Sequence, residues 1–258
     1  MSDLSTNLGE LTARGLVPAD CRAAFVVGSF ARGWANASSD VDMYLVCDQA
    51  WRSATNGVEY LPLEPAEVAT EVVHVGGQRW ELKYWLEAQV DQMIDKVSWA
   101  SFETGLPTGQ ILTTWEEEFV ERMLTCRPLT GEDWVLRQRA KITSSAFRAF
   151  VVADCLSNAD DCLEDVMGQL ASGDVESALL SVRLGFGHAV DALLASQGEY
   201  GRAPKWRARR VREVNPPLLP FERYWAVETM RAFDPAEPRQ WIQEIADLCK
   251  SLSMEVEI

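Results

Sequence analysis

Apolar and polar positions follow two different rhythms along the chain, and the change between them divides it. Ala24-Phe-Val-Val27 is a short apolar run ending at Gly28-Ser29, which predicts a buried strand that runs into a turn. A short helix over residues 30–34 and a polar loop over 35–39 are expected next. Asp40 to Cys47 is rich in β-branched and aromatic residues and predicts a second strand. Thr70 to Val75 and Gln78 to Tyr84 predict a hairpin, because the intervening Gly76-Gly77 tolerates the positive φ angles of a two-residue turn. Helical spacing returns with Leu86, Val90, Met93, Ile94 and Val97 on one face.

Beyond about residue 114 the strand signals cease, and helices are expected over 114–125, 131–156, 159–171, 174–197 and 237–252. Gly105-Leu-Pro-Thr-Gly109 is a turn-rich break between the two rhythms, and Pro216-Pro217 with Pro220 marks a loop between late helices. The expected fold class is therefore α+β: a mixed-sheet domain over 1–105 followed by a helical bundle over 106–258. No internal repeat or low-complexity tract interrupts this division.

Composition narrows the function classes. The 258 residues are 47% apolar, enough to bury a core. No run approaches the roughly 20 apolar residues of a membrane span, and Met1-Ser-Asp-Leu-Ser5 lacks the blocks of a signal peptide, so a cytoplasmic protein without a membrane partner is expected. The six cysteines form no CxxC pair and there are only two histidines, which argues against a zinc site or a disulfide framework. A formal charge of -15 disfavours nucleic acid as a partner and favours a cationic one.

The candidate chemistry lies between residues 28 and 42. Alternation across a strand puts Asp40 and Asp42 on one face and Val41 and Met43 on the other, with the two carboxylates rooted roughly 6 to 7 Å apart. Such a pair can converge on divalent ions, and magnesium takes oxygen ligands from carboxylates and phosphates. An Asp-x-Asp is also a common solvated strand edge, but Asp42 lies inside an apolar strand, where an unpaired carboxylate is costly. Gly28-Ser29 at a strand-to-helix turn lets backbone N–H groups approach phosphate oxygens; alone, it is an ordinary turn.

Together, the stretch from Val26 through Gly28-Ser29 to Ser39-Asp40-Val41-Asp42 and Val46 resembles the signature of the DNA polymerase β-like nucleotidyltransferases, over residues 24–97. The resemblance implies two magnesium ions, a nucleoside triphosphate (ATP first) as co-substrate, and Gly28, Ser29 and Ser39 on the nucleotide side. It also implies a third carboxylate from a later strand, for which Glu81 is the candidate, as metal ligand or base. Many members carry aspartate there. Read from its own strand, Glu81 is a solvent-facing carboxylate able to pair with Arg79 or Lys83. Asp40, Asp42 and Glu81 are thus the expected catalytic and metal-binding set.

Compact size, acidity and a helical second half resemble the aminoglycoside (kanamycin and streptomycin type) branch of that superfamily. The resemblance implies transfer of a nucleoside monophosphate to a hydroxyl of a small cationic acceptor, by a monomer or homodimer. In the basic segment Gly201 to Arg212, Lys205, Arg209 and Arg210 are candidates for holding the triphosphate tail. The alternative there is a solvated basic face with Lys205 anchored on Trp206. Asp191, on an otherwise apolar helix, either contacts the acceptor or is a salt-bridged surface carboxylate. Arg183 and His188 share the spacing of HEPN-type ribonucleases, but two glycines and a missing polar residue argue against that role. Most of the ten tryptophans are expected in the core, with Trp34 and Trp206 as stacking candidates. Two rival functions are an antitoxin-like enzyme acting on a protein or RNA end and a catalytically silent nucleotide-binding module.

Overall fold

The computed structural model describes residues 4–257, with side chains from Asn7 onward, and divides into two compact units, Met1–Ala146 and Phe147–Ile258. The first unit runs α1 (Leu4–Ala13), β1 (Cys21–Val27), α2 (Gly28–Ala31), β2 (Val41–Cys47), β3 (Gly57–Tyr60), β4 (Glu67–Val75) and β5 (Gln78–Leu86). It continues through α3 (Glu87–Lys96), α4 (Trp99–Phe102), α5 (Thr108–Ile111), α6 (Thr114–Thr125), β6 (Arg127–Thr130) and α7 (Glu132–Ser144). The second unit holds α8 (Phe147–Ser172), α9 (Val175–Ser196), α10 (Pro204–Val214), α11 (Phe221–Glu228) and α12 (Pro238–Glu255). The α+β class holds, with a mixed sheet in the first half and helices in the second.

The six strands order as β3-β4-β5-β2-β1-β6. Only β2 and β5 run parallel; the other neighbours are antiparallel. Val41, Met43 and Leu45 of β2 share one face with Trp80, Leu82 and Tyr84 of β5, and all are buried with Leu11 of α1. The opposite face carries Phe25, Tyr44 and Trp85, which pack on Phe119 of α6 and Trp134 of α7; the Tyr44 and Phe119 rings stack at 5.6 Å. Strand alternation therefore sorts two cores, and the polar residues of the second face gather where its aromatic packing ends.

Several boundaries differ from those expected. The sheet continues past residue 114, because Arg127–Thr130 pairs with β1 as an edge strand, so α6, β6 and α7 belong to the first unit. The division accordingly falls after Ala146 rather than after 105. The expected helix over 131–156 is broken: Ser145 is extended and the N–H of Ala146 donates to the carbonyl of Val97 at 2.9 Å. In contrast α8 runs unbroken across 157–158, and Asn158 donates back to the carbonyl of Asp154 at 2.7 Å. The short helix expected over 30–34 is instead the turn Gly28–Ala31.

The second unit is built on α9, whose Val182, Phe186, Val190 and Leu193 pack with Val166 of α8 and Trp241, Ile245 and Leu252 of α12. By length and composition α9 suits a membrane span, contrary to the expectation that no segment approaches one; 72% of its most apolar window is buried, so its apolar surface is already used as core.

Candidate active site

The apolar run of β1 ends at Val27, which lies opposite Asp42 across the antiparallel ladder, and the chain then turns at Gly28 with φ of 63°. A left-handed φ favours glycine, and so does the space: a Cβ at Gly28 would stand 2.9 Å from Oδ2 of Asp42. The turn is thereby pressed against the Asp42 carboxylate. The carbonyl of Ser29 accepts N–H bonds from Trp34 at 2.8 Å and Ala35 at 3.1 Å, closing the loop that follows. α2 is a single turn, so it offers little of the aligned dipole that a longer helix brings to phosphate.

Asp42 leads the polar end of β2, and the parallel register places Glu81 of β5 directly beside it. Burial raises the Asp42 carboxyl above the ordinary carboxylate range; Arg122 opposes the shift, while Glu81 and Glu118 add to it and Lys83 opposes it. Arg122 and Glu118 come from α6, where they form an ion pair one turn apart, and Nη1 of Arg122 donates to the Tyr44 hydroxyl at 3.0 Å. Lys83, two residues beyond Glu81 and on the same face, pairs with Glu59 at 2.6 Å and lies 4.5 Å from the exposed Trp115 ring centre.

Asp40 stands just ahead of β2. Its carboxylate and that of Glu81 both meet the same guanidinium nitrogen, Nη1 of Arg79. The Arg79 pairing foreseen for Glu81 is therefore present, and it brings Asp40 and Glu81 to one cationic point. Asp40, Arg79 and Glu81 are 41%, 39% and 36% exposed, so these pairs are screened and weak. The hydroxyl of Ser39 accepts the N–H of Asn36 at 3.0 Å, and its carbonyl accepts from Gln78 at 3.1 Å. Ser39 thus ties the loop ahead of Asp40 to the start of β5.

The first unit gathers Gly28, Ser29, Ser39, Asp40, Asp42 and Glu81, whereas Lys205 and Arg209 belong to α10 of the second. Both flank Trp206, with Nζ of Lys205 at 5.4 Å and Cζ of Arg209 at 5.2 Å from its ring centre. Arg210 is a correction: it is 1% exposed and donates to Asp191 at 2.7 Å, so it is not displayed for a phosphate. Of the two readings of Asp191 the salt-bridged one holds, since Arg207 also grips its carboxylate at 3.0 and 2.7 Å. Arg183 is exposed and His188 half-buried five residues on, about 140° around the helix.

Sequence reasoning missed Arg79 as the bridge and Glu118 with Arg122 as charges facing Asp42. Their i,i+4 spacing reads as a solvent pair, and only the packing of α6 on the sheet reveals its target.

The side chains that meet at Arg79 are carboxylates, and hard oxygen donors of this kind suit magnesium. Among the described residues no three His, Cys, Asp or Glu side chains form a ready-made metal cluster. Asp40 and Glu81 converge on the Arg79 guanidinium, and the desolvated Asp42 lies beside Glu81, so these three carboxylates are the residues that would hold a divalent ion.

No protein-family model and no curated protein matches the chain. In structure it is similar to a nucleotidyltransferase-like protein from Exiguobacterium sibiricum 255-15, at 9% identity and a TM-score of 0.53, over 98% of this chain and 75% of that one. The chain therefore shares the fold of that nucleotidyltransferase-like protein.

Proposed function

We propose that this chain is a magnesium-dependent nucleotidyltransferase that moves a nucleoside monophosphate, AMP from ATP in the first instance, onto a hydroxyl of a small cationic acceptor of the aminoglycoside kind. The observation that carries this reading is the meeting of Asp40 and Glu81 at one cationic point, with Asp42 next to Glu81 and against the Gly28 turn. Asp40, Asp42 and Glu81 would hold the ions, which when bound supply charge neutralisation at the α-phosphate and the leaving pyrophosphate.

The protein's own groups have separable tasks. Gly28 removes a side chain where phosphate oxygens must come close to Asp42, and Ser29 and Ser39 flank that approach. Asp42, desolvated and crowded by Glu81 and Glu118, gains more from a bound cation than an exposed carboxylate would. Glu81, partly exposed on the open side, takes the acceptor's hydroxyl proton. Lys205 and Arg209 are the proposed phosphate-holding cations, so Lys205→Ala should raise the nucleotide KM while leaving acceptor binding alone. The formal charge of -15 suits a cationic acceptor.

The test is to incubate the protein with each nucleoside triphosphate, magnesium and a panel of aminoglycosides and related hydroxyl compounds, and to read the acceptor's mass. A nucleotidyl mass increment that needs magnesium supports the reading; an unmodified panel with no pyrophosphate released sinks it. The contact of Arg79 with two of the three carboxylates favours a second reading, a nucleotide-binding module without catalysis. That reading is met if ATP binds and no pyrophosphate appears at any magnesium concentration.

A further inference from the structure

Cys21 and Cys47 close the β1–β2 ladder at the end remote from Asp42, where they lie directly opposite each other in the antiparallel register. Opposed residues in such a ladder have Cα atoms about 4.5 to 5.5 Å apart and side chains on the same face, within the span a disulfide bridges. Both belong to the α1 side of the sheet, Cys47 buried in that core and Cys21 half-buried at its rim.

The pair is also held in place. The register slips between Cys21 and Ala23, so Arg22 is the extra residue of a bulge and turns outward. There it pairs with Asp48 at 2.5 Å and Glu87 at 2.8 Å. On the other flank Oδ2 of Asp20 accepts the N–H groups of Asp48 at 3.0 Å and Gln49 at 2.8 Å. Residues on both sides of Cys21 thus strap the start of β1 to the end of β2, and closing a bond there requires little further ordering.

We propose that Cys21 and Cys47 are a peroxide-sensitive thiol pair that forms a reversible cross-strand disulfide. The two sulfurs take different roles. The hydrogen bond from Cys47 pulls the Cys21 thiol below its ordinary range despite burial, while the same bond and burial push Cys47 up. Cys21 is the nucleophile: its thiolate attacks the peroxide, an S–O bond forms, the O–O bond breaks, and one oxygen leaves as water with a thiol proton. The Cys47 sulfur then attacks the Cys21 sulfenic sulfur, an S–S bond forms, the S–O bond breaks, and the second oxygen leaves as water with the other thiol proton. Two electrons pass from the sulfur pair to the peroxide. Cys126 and Cys249, buried with thiols pushed up to about 11 and about 12, are poor competitors for the first step.

The experiment treats the full chain with hydrogen peroxide, alkylates the remaining thiols, and follows intact mass and cross-linked peptides. The expected result is a loss of about 2 Da, with a peptide link between Cys21 and Cys47 that dithiothreitol reverses. Cys21→Ala should abolish the link, and Cys47→Ser, whose hydroxyl keeps a hydrogen-bond donor opposite Cys21, should leave a sulfenic acid at Cys21 that dimedone traps. The wild-type measurement needs no variant, so a variant that fails to fold does not blunt the test. Alkylation of both Cys21 and Cys47 after peroxide, or a link that excludes either, overturns the proposal.

Discussion

At the residue scale, burial of Asp42 carries a consequence for stability. The folded state holds its carboxyl proton more tightly than the unfolded chain does, so the contribution is fully present below the ordinary carboxylate range, near 4, and is lost as pH rises through the elevated folded value. At neutral pH its charge therefore weakens the metal-free fold. Asp42→Asn should raise Tm in chelator at pH 7, and the gain should vanish toward pH 4, as thermal melts across that range would show. Arg79 makes the opposite argument. Each of its exposed pairs is worth up to about 1 kcal/mol, so Arg79→Ala should leave Tm within a few degrees yet tighten magnesium binding by up to about fivefold, read by metal titration. Unchanged affinity would show that Arg79 does not compete for the cation's position. Gly28, Asp40 and Asp42 were legible because strand alternation and a glycine-specific turn are local properties. The Arg79–Glu81 pair was legible from the shared strand face, but the reach of the same guanidinium to Asp40 was not, since i,i+2 spacing says nothing of which further neighbour it meets.

At the element scale, α6 links folding to the site. Thr113 and Glu116 cap it reciprocally: the Thr113 hydroxyl accepts the N–H of Glu116 at 3.3 Å and Glu116 accepts the N–H of Thr113 at 2.7 Å. The same helix presents Phe119 to the sheet and Glu118 with Arg122 to Asp42. Thr113→Ala should cost about 1 kcal/mol by denaturant unfolding and shift the rate of any reaction at Asp42 far less than Asp42→Asn does. The 3.6-residue spacing made α3, α6, α9 and α12 readable to within a few residues. β3 was not, because its exposed positions show no alternation, and β6 is a four-residue edge whose Pro128 masks it. The break at 145–146 depends on Ala146 bonding Val97, a tertiary choice that no local pattern records.

At the scale of the whole molecule, each unit has its own polar lock. In the second, Asp191 pairs with both Arg207 and Arg210, whose side chains are 13% and 2% exposed. Asp191→Ala leaves Arg210 without this carboxylate and Arg207 with Glu228 at 3.8 Å, and should destabilise by about 3 to 5 kcal/mol, seen in calorimetry as an earlier transition of the second unit. An unchanged transition would show that the arginines find other partners. The α+β division was legible from the change of rhythm, but its position was not, since a strand contributed from beyond residue 114 closes the sheet. Phosphoryl chemistry at Asp40, Asp42 and Glu81 is read out by pyrophosphate release from ATP with the acceptor panel, in magnesium and in chelator. Release is expected from the wild type only with magnesium, with a fall of about two orders of magnitude or more in Asp42→Asn and in Glu81→Gln with the fold intact. Release that persists in chelator, or variants within a few fold of the wild type, would contradict that chemistry.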